Sequence, residues 1–399
     1  MTSSPLHRFL RSRGVRKLLR DKLAVAALAV ISVYLALAGA IGFFGLITEQ
    51  ETTLRAGPGQ LVGFLEEPSL EKRLHYLEFY VEQIENALER RDPEQSLAAI
   101  DFLGLRPAST EPDVMGERLD ALFDTFEELY ELQEEGGLGT DSAELERLEQ
   151  LERDVRALYR EPEGRAGTFR RAALVLGTDV QGRSILLRAI YSIKVAVQIG
   201  LVAALVSVLI GTVLGGAAAF FGGWIDHGIV WLYSTFSAIP YIVLLMVLAA
   251  MFRGSSVEAT LVPVYAAFCM TFWIGPCRVI RGEVMKLREL EFVQAATAVG
   301  FGRLRILAKH IVPNTTHLMF INFSLIFIGA IKAEVILSFL GLGVKSGSSW
   351  GLMINQSRQE VISGFMWQIG GATFFMFVLV LAFNILSDAL QDAFDPKHV

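Results

Sequence analysis

The chain has 399 residues, of which 52% are hydrophobic and only 20% are charged. A soluble domain of this length carries more charge, and several apolar runs here reach the roughly 20 residues that cross a bilayer core. This composition excludes an ordinary soluble enzyme, and no nucleic-acid partner, cofactor or metal is expected. It predicts an all-α, polytopic membrane protein, because helices satisfy their own backbone hydrogen bonds in lipid.

The net charge of −6 averages two regions of opposite sign. Residues 49–165 contain 30 acidic and 12 basic side chains, whereas the remainder contains 12 acidic and 24 basic ones. We therefore expect the acidic stretch and the basic remainder to face different compartments.

Six transmembrane helices are predicted. The first, over residues 23–47, follows a basic tail at 1–22. A signal peptide shares the basic start, with the small residues Ala38–Ala40 as a possible cleavage site, but its apolar region is only about 7–15 residues long, so a retained span is favoured. The other runs are Ile193–Phe221, Ile229–Phe252, Val257–Ile280, His317–Phe339 and Ile369–Leu386.

Positive charge predicts the orientation. The tail at 1–22 and the segment Arg278–Lys309 each contain seven Arg or Lys residues, and six alternating spans put them on the same side. Lys and Arg accumulate in cytoplasmic loops. The protein is therefore expected in the cytoplasmic (inner) membrane. Both termini are expected on the cytoplasmic side, and residues 48–192 on the outer side.

The acidic insert, predicted over 48–170, has helical periodicity. One apolar stripe consists of Leu70, Leu74, Leu77, Val81, Ile84 and Leu88. Its steps of four and three residues are those of a heptad, and two further stripes follow. Three longer helices and one short one are expected, packed as a small bundle or hairpin, with an extended coiled coil as the alternative. The insert is either a docking or gating surface or a solvated decoration.

The segment Gly177–Ser184 nearly matches a phosphate-binding loop. The lysine that such a loop directs at the phosphates is replaced by Arg183, and no apolar strand ending in Asp follows as a magnesium partner. The predicted orientation also puts the segment outside the cytoplasm. Nucleotide binding is therefore disfavoured, and the chain is not expected to be an enzyme.

The coupling loop, as we call residues 281–314, is charged and helical in period. One apolar face consists of Leu290, Val293, Ala296 and Val299. A break at Gly300 precedes a second amphipathic piece, Leu304–Ile311, that is expected to stop at Pro313. These features predict two helices at an elbow, whose small residues Ala295 and Ala296 allow a partner to approach closely. The alternative is an amphipathic loop lying on the membrane surface.

Several motifs support the first interpretation. They are Leu176-Gly-Thr-Asp-x-x-Gly-Arg183, Phe221-Gly-Gly-Trp-Ile-Asp226, Glu291-Phe-Val-Gln-Ala-Ala296, Leu337-Ser-Phe-Leu-Gly-Leu-Gly343, Ser349-Trp-Gly351 and Leu381-Ala-Phe-Asn-x-Leu-x-Asp388. In this order they resemble the second permease subunit of dipeptide, oligopeptide and nickel ABC importers. The resemblance covers residues 172–399 and, more weakly, 1–47. The coupling loop resembles the EAA loop of these permeases, although Gln294 stands where Glu is common and Thr297 where a basic residue is usual.

The resemblance implies a permease core over 171–399 that completes a pathway with a sister permease. It also implies two ATP-binding subunits and an extracytoplasmic substrate-binding protein as partners, beside the lipid bilayer that the apolar runs already indicate. ATP binding would close the ATPases and move the coupling helices, so that the outer gate opens. The residues that it assigns to ATPase coupling are Glu291, Gln294, Ala295, Ala296, Gly300, Ile311 and Pro313. Those that it assigns to the pathway or gate are Glu334, Ser338, Gly341 and Trp350.

Charges within a span are costly unless they are paired or face water. Glu334, late in the fifth span, is therefore either a pathway carboxylate or part of a buried pair that fixes packing, whereas Lys332 is able to extend to the interface. Two other classes of protein remain as alternatives. A secondary transporter needs ionisable residues near the centres of its spans, which these spans largely lack, and an interaction protein built around the insert needs no EAA-type loop.

Overall fold

The structure is a computed structural model that describes residues 19–136, 142–345 and 347–394. The basic tail predicted over 1–22 therefore lies, as far as residue 18, outside the described residues. The described chain is almost entirely helical. Its elements are α1 (Lys22–Phe43), α2 (Glu49–Thr53), α3 (Leu70–Leu88), α4 (Pro93–Ala98), β1 (Arg106–Pro107), α5 (Pro112–Gly136), α6 (Ser142–Ala157), β2 (Tyr159–Arg160), α7 (Gly164–Ala173), α8 (Ile185–Phe221), α9 (Gly223–Ser237), α10 (Tyr241–Ala250), α11 (Val262–Phe272), α12 (Ile274–Leu287), α13 (Glu291–Ala298), α14 (Arg303–Ile306), α15 (Thr316–Phe339), α16 (Trp350–Gln356), α17 (Arg358–Ile362) and α18 (Trp367–Phe394).

The described residues form two compact units. The membrane unit contains Ala189–Gln356 together with the described parts of Met1–Leu46 and Ala372–Val399. The insert unit contains Ser357–Gly371 and the described part of Ile47–Arg188. It therefore includes the predicted insert at 48–170 together with residues 171–188 and 357–371.

The prediction of a polytopic helical membrane protein is confirmed. Within the described ranges, five helical stretches are long and apolar enough to cross a membrane: Lys22–Phe43, Ile185–Phe221, Val262–Leu287, Arg303–Phe339 and Trp367–Ala393. The pair α9 and α10 passes the same test only when it is taken together, which makes up to six.

The predicted third span, Ile229–Phe252, is bent rather than straight. The axes of α9 and α10 differ by 89° across a short break. Pro240 lies at this break with φ −53° and ψ 127°. Proline has no N–H to donate, and it disfavours the helical conformation of the residue before it. The apolar run identifies the segment, but the proline makes it a broken span or a re-entrant hairpin.

Helices α3 to α6 of the insert unit pack around one apolar core. Leu74, Leu77 and Ile84 of the predicted stripe are buried there. The other stripe residues, Leu70, Val81 and Leu88, pack against the edge of the core. The short strands β1 and β2 pair antiparallel beside it. The insert is therefore a small helical bundle rather than an extended coiled coil.

The segment that resembles a phosphate-binding loop is a closed turn. Both Gly177 and Gly182 have a φ of +74°, which favours glycine. A Cβ added at Gly177 would collide with the carbonyl of Leu61, and one added at Gly182 with the carbonyl of Gly57. The backbone N–H groups of Gln181 and Arg183 already donate to the carboxylate of Asp179, so they are not free to bind a phosphate.

Asp179 and Glu360 are buried carboxylates of the insert unit. Asp179 accepts backbone N–H groups from Gln181 and Arg183 at 2.9 Å each, and it forms ion pairs with the guanidinium groups of Arg183 and Arg188. Glu360 accepts the N–H of Val180 at 2.7 Å through Oε1, whereas its Oε2 has no hydrogen-bond partner in the described chain. Burial raises the pKa of Glu360 to about 7.

Candidate functional site

The elbow of the coupling loop is built around Gly300. Helix α13 ends at Ala298, and Gly300 has a φ of +89°. The N–H of Phe301 donates to the carbonyl of Ala296 at 3.1 Å, and that of Gly300 donates to Thr297 at 2.9 Å. These two bonds are those of a Schellman motif, in which a left-handed residue ends a helix. The predicted break is therefore a defined turn that favours glycine.

One face of α13 packs on the membrane unit itself. Val293 and Ala296 are 4% and 7% exposed and belong to an apolar cluster with Ile280, Val284 and Ile311. The small size of Ala296 therefore allows the helix to lie close to its own core. The side chain of Ala296 is thus directed at its own chain, because the sequence period shows which residues share a face but not what that face contacts.

The predicted apolar face is also shorter than expected. Leu290 and Val299 are 47% and 75% exposed. Leu290 precedes the helix in an extended conformation, and Val299 follows its last turn, so neither side chain continues the buried stripe.

Three arginines attach the coupling loop to neighbouring helices of the membrane unit. Arg288 donates to the carbonyl of Ala219 at 2.8 Å, near the C-terminal end of α8, where a cation is favourable. Arg281 forms two hydrogen bonds to the carboxylate of Asp226, at 2.6 and 2.7 Å. The guanidinium of Arg303 lies 5.4 Å from the ring centre of Phe221.

Sequence reasoning gave Arg281, Arg288 and Arg303 no role beyond orientation. Asp226 stands in a quoted motif and was likewise given no role. The sequence signal for the ion pair between Asp226 and Arg281 is a carboxylate near the end of one predicted span and an arginine at the end of another.

The solvent-exposed face of α13 carries three further residues predicted for coupling. Glu291, Gln294 and Ala295 are exposed, and the amide of Gln294 donates to the carbonyl of Glu289 at 3.0 Å. A glutamate at this position has no such donor when it is ionised, so the glutamine adds a bond within the loop. Val299 and Leu304, at 75% and 71% exposed, add apolar surface to the exposed part of the loop.

The end of the coupling loop differs from the prediction. A π-helical turn at Leu307–Ile311 and a 3₁₀ turn at Val312–Thr315 connect α14 to α15, so the second piece does not stop at Pro313. Proline lacks an N–H and its ring crowds the preceding turn, which distorts the helix here without ending it. Ile311 is buried in the apolar cluster, and Pro313 is exposed.

Glu334 lies in a buried polar cluster near the end of α15. It is 4% exposed, and its Oε1 accepts the hydroxyl of Ser338 at 2.6 Å. Ser349 also hydrogen-bonds to it. Lys332 is exposed and forms no ion pair with Glu334 within the described chain. The carboxylate is thus held by hydroxyls and not by the buried ion pair considered as an alternative.

Gly341 and Trp350 position the segment next to this cluster. Gly341 has a φ of +74° and ends α15 in a second Schellman motif, in which the N–H of Leu342 donates to Leu337 at 2.8 Å. Trp350 is 1% exposed, and its indole donates to the carbonyl of Ala189 at 2.9 Å. Three of the four residues predicted for the pathway or gate, Glu334, Ser338 and Trp350, are therefore buried, whereas Gly341 is exposed.

A separate cavity of about 560 Å³ lies within the membrane unit. It is lined by the bend between α9 and α10, by the junction of α11 and α12, and by α15. The lining is apolar except for a few uncharged polar groups such as Thr271 and Asn322. No residue predicted for the pathway or gate lines it, and sequence reasoning missed it because the bend was not foreseen.

Comparison with known proteins gives one consistent family. The model of the binding-protein-dependent transport system inner membrane component matches residues 184–398. A dipeptide transport system permease protein of Bacillus subtilis is 36% identical over 222 residues, which cover 55% of this chain and 68% of the relative. An oligopeptide transport system permease protein of Haemophilus influenzae is 32% identical, with 55% and 70% covered. A putative peptide permease protein of Brucella suis is 34% identical, with 55% and 72% covered.

Proposed function

Since the chain belongs to the family of binding-protein-dependent transport system inner membrane components, we propose that it is the permease subunit of an ATP-driven importer of short peptides. It is a multi-pass protein of the inner membrane. The curated relatives are named for dipeptide and oligopeptide transport, and this supports a peptide as the substrate.

The observation that carries the proposal is the two-faced coupling loop. Val293 and Ala296 anchor α13 to its own unit, and Arg288 ties the loop to the end of α8. The opposite face presents the small Ala295 beside the exposed Val299. A rigid helix with an open, partly apolar face is suited to dock on an ATP-binding subunit, and its attachment to the spans transmits movement to them.

The partners follow from this arrangement. Two ATP-binding subunits supply the energy, a sister permease completes the pathway, and an extracytoplasmic binding protein delivers the peptide. The basic coupling loop faces the cytoplasm, where the ATP-binding subunits are, and the acidic insert faces outward, as the distribution of Lys and Arg favours.

The cavity beside the bent pair is the part of the pathway that this subunit contributes. Its apolar lining and few polar groups suit peptides of varied side chains, which need weak and non-selective contacts. The amide of Asn355 in α16 donates to the carbonyl of Ser338 in α15 at 2.8 Å, and this bond holds the two helices together so that they move as one body when the outer gate opens.

ATP-driven uptake tests the proposal. The permease, its sister and both ATP-binding subunits are reconstituted in proteoliposomes, and a labelled tripeptide is supplied with the binding protein. Uptake is expected only with ATP on the side of the ATP-binding subunits. Uptake by the permeases alone, driven by an ion gradient, would instead support a secondary transporter.

A further inference from the structure

A groove of about 460 Å³ runs between α3 and α5 on the insert unit. Its apolar floor consists of Val81, Leu119, Leu122, Phe123 and Phe126, and Tyr130 lies at one end. Most of this floor is well packed, with Leu122 and Phe126 only 6% and 7% exposed. Phe123, in contrast, is 48% exposed, although a large aromatic side chain gains stability from burial. The groove therefore offers apolar surface that the insert does not cover itself.

Carboxylates surround this floor. The rim consists of Glu78, Glu82, Glu85 and Glu127. Among the described residues, Glu82, Glu85 and Glu127 have no cationic partner, and no Lys or Arg lines the groove. Glu78 lies 3.3 Å from the ring of His75. The rim therefore attracts cations and repels anionic lipid headgroups and acidic proteins.

The dimensions of the groove suit a helix. The floor residues of α5 extend from Leu119 to Tyr130, a stretch of twelve residues that spans about 16 Å, or three helical turns. An amphipathic helix binds in such a groove by inserting side chains spaced three and four residues apart.

We propose that this groove binds an amphipathic helix of a partner protein, with apolar side chains on the floor and Lys or Arg residues on both flanks. Charge complementarity selects this occupant, because its flanking cations neutralise Glu82, Glu85 and Glu127, which form no ion pair among the described residues. The proposal goes beyond transport itself and assigns the insert a docking role.

The test uses the full-length permease in nanodiscs of zwitterionic lipid and a defined probe. The probe is a synthetic helix of about 18 residues with a Leu stripe flanked by Lys, compared with a second peptide that carries the same stripe flanked by Glu. The Lys peptide is expected to bind the permease and not empty nanodiscs, and its binding is expected to weaken at high salt, since exposed charges are then screened. The Glu peptide is expected not to bind.

Two variants locate the binding to the groove. Phe123→Ala is expected to weaken the Kd about tenfold or more, because buried aromatic anchors dominate such interfaces. The double variant Glu82→Lys with Glu85→Lys is expected to weaken the Kd about tenfold, because lysines at the rim repel the lysines of the peptide. The matched control is Glu117→Lys with Asp120→Lys, which changes the net charge equally at exposed positions of α5 outside the groove. The control is expected to leave the Kd within about twofold of wild type.

Equal binding of the Lys and Glu peptides would overturn the proposal. So would equal weakening by the two charge-reversed pairs, because the attraction would then be general to the acidic insert and not specific to the groove. Binding that survives Phe123→Ala unchanged would show that the floor is not used.

Discussion

Asp179 and Glu360 show how surroundings decide the state of a buried carboxylate. Asp179 forms ion pairs with Arg183 and Arg188, which compensate its charge. Glu360 accepts one backbone N–H through Oε1, and its Oε2 has no partner in the described chain. Because burial disfavours its charged form, the pKa of Glu360 rises from the ordinary value of 4.5 to about 7.

This pKa predicts a pH dependence of stability. The folded state retains the proton of Glu360 up to about pH 7, so its contribution to stability is present below pH 4.5 and is lost as the pH rises to about 7. Glu360→Gln keeps the size and the acceptor but cannot ionise. We expect the variant to melt at the same temperature as wild type at low pH and at a higher temperature at pH 8.

Thermal unfolding of the purified protein checks this across the pH range. Glu71→Gln, at an exposed carboxylate of α3, is the control and is expected to match wild type throughout. A difference between Glu360→Gln and wild type that does not change with pH would contradict the prediction.

Among the elements, α13 marks the limit of prediction from sequence. The elbow at Gly300 was predictable, because two glycines interrupt an apolar period and only glycine readily adopts positive φ. The contacts of Ala296 were not predictable, since they involve Ile280 and Val284 of an earlier helix, and a local period contains no information on such distant neighbours. The bend at Pro240 was missed because hydropathy shows that a segment is apolar enough for the membrane but not whether its helix is straight.

The packing of Ala296 predicts a cost to the permease itself. Ala296→Leu adds bulk to a closed apolar cluster, which typically costs about 1–3 kcal/mol. We expect a lower melting temperature and a lower yield of the purified subunit even without partners. An Ala296→Leu variant with the melting temperature of wild type would contradict the packing of α13 against this cluster.

On the scale of the whole molecule, the proposed function requires that motion pass from the ATP-binding subunits to the spans. The buried face of α13 and the bond from Arg288 to Ala219 make the loop move with the membrane unit. The exposed face with Ala295 is left for a partner. The insert unit has an apolar core of its own.

Copurification of the ATP-binding subunits with Ala295→Leu tests this central claim most directly. Ala295 is exposed, so the change is expected to leave the melting temperature and abundance of the permease at wild-type values. In a docked complex the added bulk clashes with the partner, and we expect ATPase association to weaken about tenfold or more, with ATP-driven uptake falling in parallel. Ala121→Leu, at an exposed alanine of α5, is the matched control and is expected to associate like wild type. Wild-type ATPase binding and uptake by Ala295→Leu would contradict the assignment of the coupling loop.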